Sequence, residues 1–328
     1  MRRYFSRKVF IYILTFFLAV TIDWLIPRFM PGNPVQNMLS RASIQSEAAE
    51  VMRGYYRKAF GLDVPLWQQY LNFWKAIFHG DLGISVYMFP QKVTQVILHA
   101  LPYDIALLLP SVILSWIAGN KFGAFAARSR WLDNTILPIT YLLRATPYMW
   151  LAILMAWSLG IVWGIFPISG AYSYSMQPTF SFAFLVSFLR HWFLPFASLF
   201  IVQFGGWAIG MRNMIIYELE ADYSHYLESL GAPRSLVRKY AFRNAMLPQI
   251  TGLALRLGQI VAGALATEIV FSYPGIGYLL LQAINNQDYF LIQGCFLFIV
   301  VGVLLANFII DVVYVIVDPR TRQGMEGT

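Results

Sequence analysis

The sequence predicts an all-α polytopic membrane protein with six transmembrane helices and a long extracytoplasmic segment after the first. Composition is the first reason: of 328 residues 58% are hydrophobic and 12% charged, against roughly 25% charged in an ordinary soluble domain. With a mean hydropathy of +0.58, the chain has too little polar surface to coat a water-soluble particle, so its apolar excess must face lipid. The second reason is run length. A hydrocarbon core about 30 Å thick needs about 20 apolar residues at about 1.5 Å rise each, and six stretches qualify: 9–26, 102–122, 136–159, 192–211, 250–272 and 290–317. The third is that Lys and Arg alternate between the connecting segments.

Taken in order, the first span follows Arg2, Arg3, Arg7 and Lys8. That is also how a secretory signal begins, but no small-residue cleavage site follows, so it reads as an uncleaved span. Residues 29–101 form the extracytoplasmic segment. Within it Asp63 and Pro65 mark a helix start before LWQQYLNFWKAIF, whose Leu66, Tyr70, Trp74 and Ile77 share one face. That face suits a membrane interface or a small packed cap. Lys121, Arg128 and Arg130 lie between the second and third spans, and Arg212, Arg234, Arg238, Lys239 and Arg243 between the fourth and fifth; Arg320 and Arg322 follow the sixth. Segment 160–191 carries only Arg190, and 273–289 carries no Lys or Arg. Both termini are therefore expected in the cytoplasm, and the net charge of +8 reflects this inner-face bias, with no implication of nucleic-acid binding. The division is 1–28, N-terminus and first span; 29–101, external segment; 102–317, transmembrane core containing the cytoplasmic segment 212–247; and 318–328, cytoplasmic tail. Cys295 has no disulfide partner, and four scattered histidines show no ligand spacing, so no metal site is expected.

Segment 212–247 is the most informative. Ile216, Leu219, Tyr223, Tyr226, Leu227 and Leu230 recur at helical spacing, with Glu218, Glu220, Asp222 and Glu228 between them. Gly231 and Pro233 end that helix, because glycine accepts the left-handed C-terminal conformation and proline cannot continue. A basic helix with Arg234, Arg238, Lys239 and Arg243 follows, expected to stop at Pro248. An acidic helix, a turn and a basic helix beneath the membrane are either a solvated hairpin or a docking element for a cytoplasmic partner.

Here the chain resembles the permease subunits of binding-protein-dependent ABC importers, in the branch that carries oligopeptides, dipeptides, nickel and oligosaccharides. That family's cytoplasmic motif runs Glu-Ala-Ala, a glycine and a later Leu-Pro; this chain has Gly231 and Leu247-Pro248, with His225-Tyr226-Leu227 in place of Glu-Ala-Ala. Asp222-Tyr223, Arg243-Asn244-Ala245, FSYPGIG at 271–277, QDY at 287–289 and DPR at 318–320 also match. So do PGNP at 31–34, GLDVPLWQQY at 61–70 and GDLGIS at 80–85 in the external segment.

The resemblance implies a type I ABC importer permease fold in a bacterial or archaeal plasma membrane. Its partners would be a paralogous permease subunit, two cytoplasmic ABC ATPase subunits and an extracytoplasmic solute-binding protein. The chain lacks the G-x-x-x-x-G-K-[ST] phosphate loop, so it is expected to be non-catalytic and to bind no cofactor, with ATP and Mg held by the ATPases. The coupling segment that docks on an ATPase would comprise Asp222, Tyr223, Tyr226, Leu230, Gly231 and Ala232, joined to the fifth span through Arg243, Asn244, Leu247 and Pro248. Pro274, Gly275 and Gly277 would belong to an extracytoplasmic gate. Charges in spans are functional candidates because of their cost in lipid. Arg144, Arg256 and Glu268 are the candidates for the translocation path, while Asp23, Asp104 and Asp311 lie near span ends, where structural roles suffice. Arg256 and Glu268 stand about 18 Å apart along one helix and cannot pair there. An ion-driven secondary transporter would show paired acids near mid-bilayer, and a membrane enzyme a cluster of histidine and acids. Neither pattern is evident.

Overall fold

The computed structural model describes residues 2–29, 54, 57–58, 63–179, 181–259 and 265–317. The motifs at 31–34 and 318–320 lie outside them. The described chain is almost wholly helical: α1 (Arg2–Phe29), α2 (Leu66–His79), α3 (Val93–Ala126), α4 (Arg130–Ala145), α5 (Tyr148–Met155) running into π-helical turns at Ala156–Val162, α6 (Phe182–Leu219), α7 (Asp222–Ser229), α8 (Arg234–Gln259), α9 (Leu265–Val270), α10 (Ile276–Asn285) and α11 (Tyr289–Val317). Among the described residues four helices are long and apolar enough to cross a membrane, or five if the bent pair α4–α5 counts as one span.

The expected third span, 136–159, is not one helix. It bends by 93° between α4 and the helix that follows, because Pro147 has no N–H to continue the ladder and holds Thr146 in extended backbone at ψ 122°. The expected fifth span, 250–272, includes residues outside the description, and what is described of it is α8 and α9.

Helices divide between two compact units, whose boundary falls within α3. The first unit comprises Met1–Asp104, Val261–Leu265 and Pro274–Thr328. In it α1 packs along α11, tied at one end by Lys8 Nζ to Asp311 (2.9 Å) and by the Tyr12 hydroxyl to the same carboxylate (2.5 Å). Toward its other end α1 receives α2. The indole of Trp74 stacks on Phe17 at 5.5 Å between centroids, Tyr70 stands edge-on to Trp24, and the Tyr70 hydroxyl lies 2.8 Å from Thr21 Oγ1. The expected apolar face of α2 is thus a packed cap for Tyr70 and Trp74, while Leu66 stays exposed. Gly80, at φ +68°, closes α2 with paired carbonyl bonds to Ile77 and Ala76. The core gathers Val93, Ile97, Leu280, Ala283, Leu291 and Ile292.

The second unit, Ile105–Ile260 and Ala266–Tyr273, is organised on α6. At 38 residues this helix is about 57 Å long, so it outruns the hydrocarbon core and projects beyond it. Backbones meet closely where side chains vanish. A Cβ on Gly119 of α3 would lie 2.6 Å from Trp207 Cβ and 2.9 Å from the Phe204 carbonyl, and one on Gly123 would overlap the Ala208 carbonyl. Glycines four apart on one face are the small-residue crossing that lets lipid-embedded helices approach. Gly205 does the same against Thr140 of α4. At one end of this pair the Arg212 guanidinium grips Asp133 of α4 with two nitrogens, Nε at 2.7 Å and Nη2 on the other oxygen.

Candidate functional site

Segment 212–247 departs from the expected helix–turn–helix in two ways. Ile216 and Leu219 belong to the end of α6, and the chain breaks at Glu220–Ala221 before α7 begins at Asp222. Glu218 sets this corner. Its carbonyl accepts from Ser224 Oγ (2.7 Å) and its carboxylate accepts from the Tyr223 hydroxyl (2.8 Å), so α7 is pinned across the end of α6. Burial, and then the bond to Glu218, hold the Tyr223 phenol above its ordinary pKa. Pro248 does not stop the basic helix, because α8 continues through it to Gln259. A proline in a membrane helix is tolerated where neighbours re-satisfy the freed backbone; separately, Trp116 Nε1 of α3 donates to the Gln249 carbonyl at 3.0 Å and ties the two helices together.

The turn itself is as expected. Gly231 has φ +75°, its N–H donates to the Glu228 carbonyl (2.9 Å), and the Ala232 N–H donates to that of Leu227 (3.0 Å). This closes α7 with the left-handed glycine cap. Tyr226 and Leu230, beside it, are 63% and 66% exposed, whereas Ser224 and Val237 are buried beneath. Asp222, Gly231 and Arg243 are also exposed, and Ala232 and Asn244 half-buried. The result is a protruding corner with an apolar tip. Tyr223 does not join the tip, since its hydroxyl is spent on Glu218. The middle of α8 is seated by Ala245, which packs with Met211 and Ile215 of α6.

Leu247 is exposed, and Pro248 lies 17 residues beyond Gly231, about 25 Å along the helix, so neither belongs to the tip. Pro248 instead lines a cavity of about 550 Å³. Its walls include Arg144 and Tyr148 at the α4–α5 bend, Gln203 and Trp207 of α6, and Gln249 and Arg256 of α8. Two of the three charges singled out in the spans, 112 residues apart in sequence, therefore face one space. Glu268 does not line it; it is fully buried in the first turn of α9.

Pro274, Gly275 and Gly277 sit at the start of α10. Gly275 and Gly277 are buried and Pro274 half-buried. The Asp104 carboxylate accepts the Ile276 N–H at 2.8 Å, placing negative charge at the helix N-terminus. A second buried carboxylate, Asp288 of the QDY motif, accepts from Ser85 Oγ (2.5 Å), the Tyr87 N–H (2.9 Å) and the Leu291 N–H (3.0 Å). Ser85 ends the GDLGIS motif, so two motifs 203 residues apart meet here. Burial raises the Asp288 pKa despite these donors.

Residues 119–323 match the protein family described as binding-protein-dependent transport system inner membrane component. Over 98% of its length the chain is 29% identical to a di/tripeptide transport system permease protein of Pseudomonas aeruginosa (strain UCBPP-PA14), covering 99% of that protein. It is 27% identical, with the same coverages, to a dipeptide transport system permease protein of Escherichia coli (strain K12).

Proposed function

The chain belongs to the family of binding-protein-dependent transport system inner membrane components, and from that membership we propose that it is a permease subunit of an ATP-driven importer of di- and tripeptides. It is a multi-pass, non-catalytic membrane subunit. The observation that carries the substrate class is the end-to-end similarity to two permeases named for dipeptide or tripeptide transport. Two ATPase subunits that hold ATP and Mg, a paralogous permease and an extracytoplasmic solute-binding protein complete the assembly. Both termini lie in the cytoplasm, as the Lys and Arg alternation requires. The corner at Tyr226, Leu230 and Gly231 docks on an ATPase, and Asp222, Ala232, Arg243 and Asn244 flank it. The cavity faced by Arg144 and Arg256 lies on the translocation path, where two guanidiniums suit the carboxylate of a passing peptide. Glu268 has a structural role, and Pro274, Gly275 and Gly277 brace the external end through α10.

The test is uptake of a labelled dipeptide into proteoliposomes that hold the assembled complex, with the solute-binding protein outside and nucleotide inside. Uptake that requires ATP and the binding protein is expected. Uptake driven by an ion gradient without nucleotide would make the chain part of a secondary transporter, and ATP-dependent uptake of an oligosaccharide but no peptide would overturn the substrate class.

A further inference from the structure

A second cavity, of about 660 Å³, lies where α3, α6 and α8 come together at the end of the second unit that carries the coupling corner. Four cations line it, Lys121 and Arg128 from α3 and its end, and Arg238 and Lys239 from α8, with no Asp or Glu among the lining residues. Asp133 is engaged by Arg212 and Glu218 by Tyr223. Arg238 reaches across the cavity to the Arg128 carbonyl at 3.2 Å, so the two cationic walls are held together. Apart from Ser235 the rest of the lining is apolar, and Phe125 and Phe242 present 41% and 37% of their surface.

We infer that this cavity is a binding site for the headgroup of an anionic phospholipid. Four like charges in one recess need an anion, and a bare anion would leave the two phenyl rings in water. An amphiphile satisfies both walls. Its phosphate meets the guanidinium and ammonium groups, and its glycerol and first methylenes lie on the rings. Depth agrees. Lys121 stands five residues before the end of a membrane-spanning helix, Val93–Ala126, which is headgroup level, and basic recesses between spans at that level are where anionic lipids lodge. The inference that this is the inner leaflet rests on the orientation proposed above; the lipid site itself rests only on the membrane placement.

The assembled complex, ATPases included, would be exposed to phosphatidylglycerol in a phosphatidylcholine background and its retained lipid counted by native mass spectrometry. One phosphatidylglycerol retained per copy of this chain, in preference to phosphatidylcholine, is expected. Each cation removed should weaken retention about fivefold, so the Lys121→Gln, Lys239→Gln double variant should lose about 25-fold. The mass of the intact complex in the same spectrum shows whether the variant assembles, and the single variants serve should the double one fail. Equal retention of the two lipids overturns the site, and so does full retention by the double variant. Displacement by inorganic phosphate at the lipid's own concentration would reduce it to a free-anion site. Binding only after the ATPases are stripped off would make the partner protein the occupant. Labelling of a Tyr217→Cys variant, at an exposed position outside the cavity lining, by an impermeant maleimide from the external side alone would overturn the orientation and the leaflet, while leaving lipid retention untouched.

Discussion

Replacing Gly231 separates backbone geometry from surface chemistry at the corner proposed to dock on an ATPase. The residue holds φ +75°, and a Cβ built on it meets no atom within 4 Å. Alanine there incurs only the left-handed backbone penalty, about 1–2 kcal/mol for an L-residue, with no steric addition. Because α7 is eight residues long and is anchored mainly through Glu218 at its other end, that strain is relieved most easily by shifting the corner. A bias of this size lowers the population of the docking geometry about 5- to 30-fold. Asparagine, which tolerates the left-handed region, should retain more function than alanine. Gly231→Glu adds a charge beside the exposed Leu230 and should abolish uptake. The readouts are peptide-stimulated ATP hydrolysis and uptake by the reconstituted complex, with membrane level measured by immunoblot. Coupling should fall in the order Gly, Asn, Ala, Glu while membrane insertion stays constant. Wild-type coupling in the Gly231→Glu protein would refute the docking role, and an alanine variant no weaker than asparagine would refute the conformational argument.

Three other perturbations test the packing and the cavities. Gly119→Ala forces α3 and α6 apart, since 2.6 Å to Trp207 Cβ must open to the ordinary 3.4 Å. That should cost about 1–3 kcal/mol in thermal unfolding of the purified complex, whereas Gly206→Ala, with nothing within 4 Å, should be neutral or stabilise by up to about 1 kcal/mol. A raised folded-state pKa at Asp288 means the folded protein binds this proton more tightly than the unfolded chain. The contribution is complete below the unfolded value, about 3.9, and is lost as pH rises through the folded one; melting measured from pH 4 upward should therefore decline more steeply in wild type than in the D288N protein, and a pH-independent difference would contradict this. Arg144→Ala and Arg256→Ala should each lower peptide uptake about tenfold or more, as loss of a charge-assisted contact of 1.5–3 kcal/mol implies. Binding-protein-stimulated ATP hydrolysis should persist in both, and unchanged uptake in the double variant would remove the cavity from the path.

Much of this was legible without coordinates, and the reasons differ by residue. Gly231 and Pro233 announce the turn because their constraints are local. Pro147 is equally local, but an average of hydropathy over 136–159 ignores what one missing N–H does to a helix, so the 93° bend was hidden. The same averaging ends the fourth span at 211, where lipid ends, whereas backbone hydrogen bonding carries α6 on to Leu219. The corner after it depends on Glu218, whose spacing to Tyr223 and Ser224 says nothing of a clamp until α7 turns back. Gly119 and Gly123 carried a readable signal, four residues apart in an apolar helix, that the charge pattern overshadowed.

Long-range pairing was out of reach, and it decides how the charges in and beside the spans are to be understood. Asp104 is occupied at the N-terminus of α10, Asp311 with Lys8 and Tyr12, Asp133 with Arg212, and Asp288 with Ser85 and two backbone amides. Such carboxylates hold helices together, and their buried desolvation cost is offset by the donors they collect. Arg144 and Arg256 both reach the wall of a cavity beside a broken helix, an arrangement tolerated at membrane depth where the backbone lines a water-filled space. On the function proposed above, a solute that carries negative charge at one end, as a free peptide carboxylate does, suits such a wall.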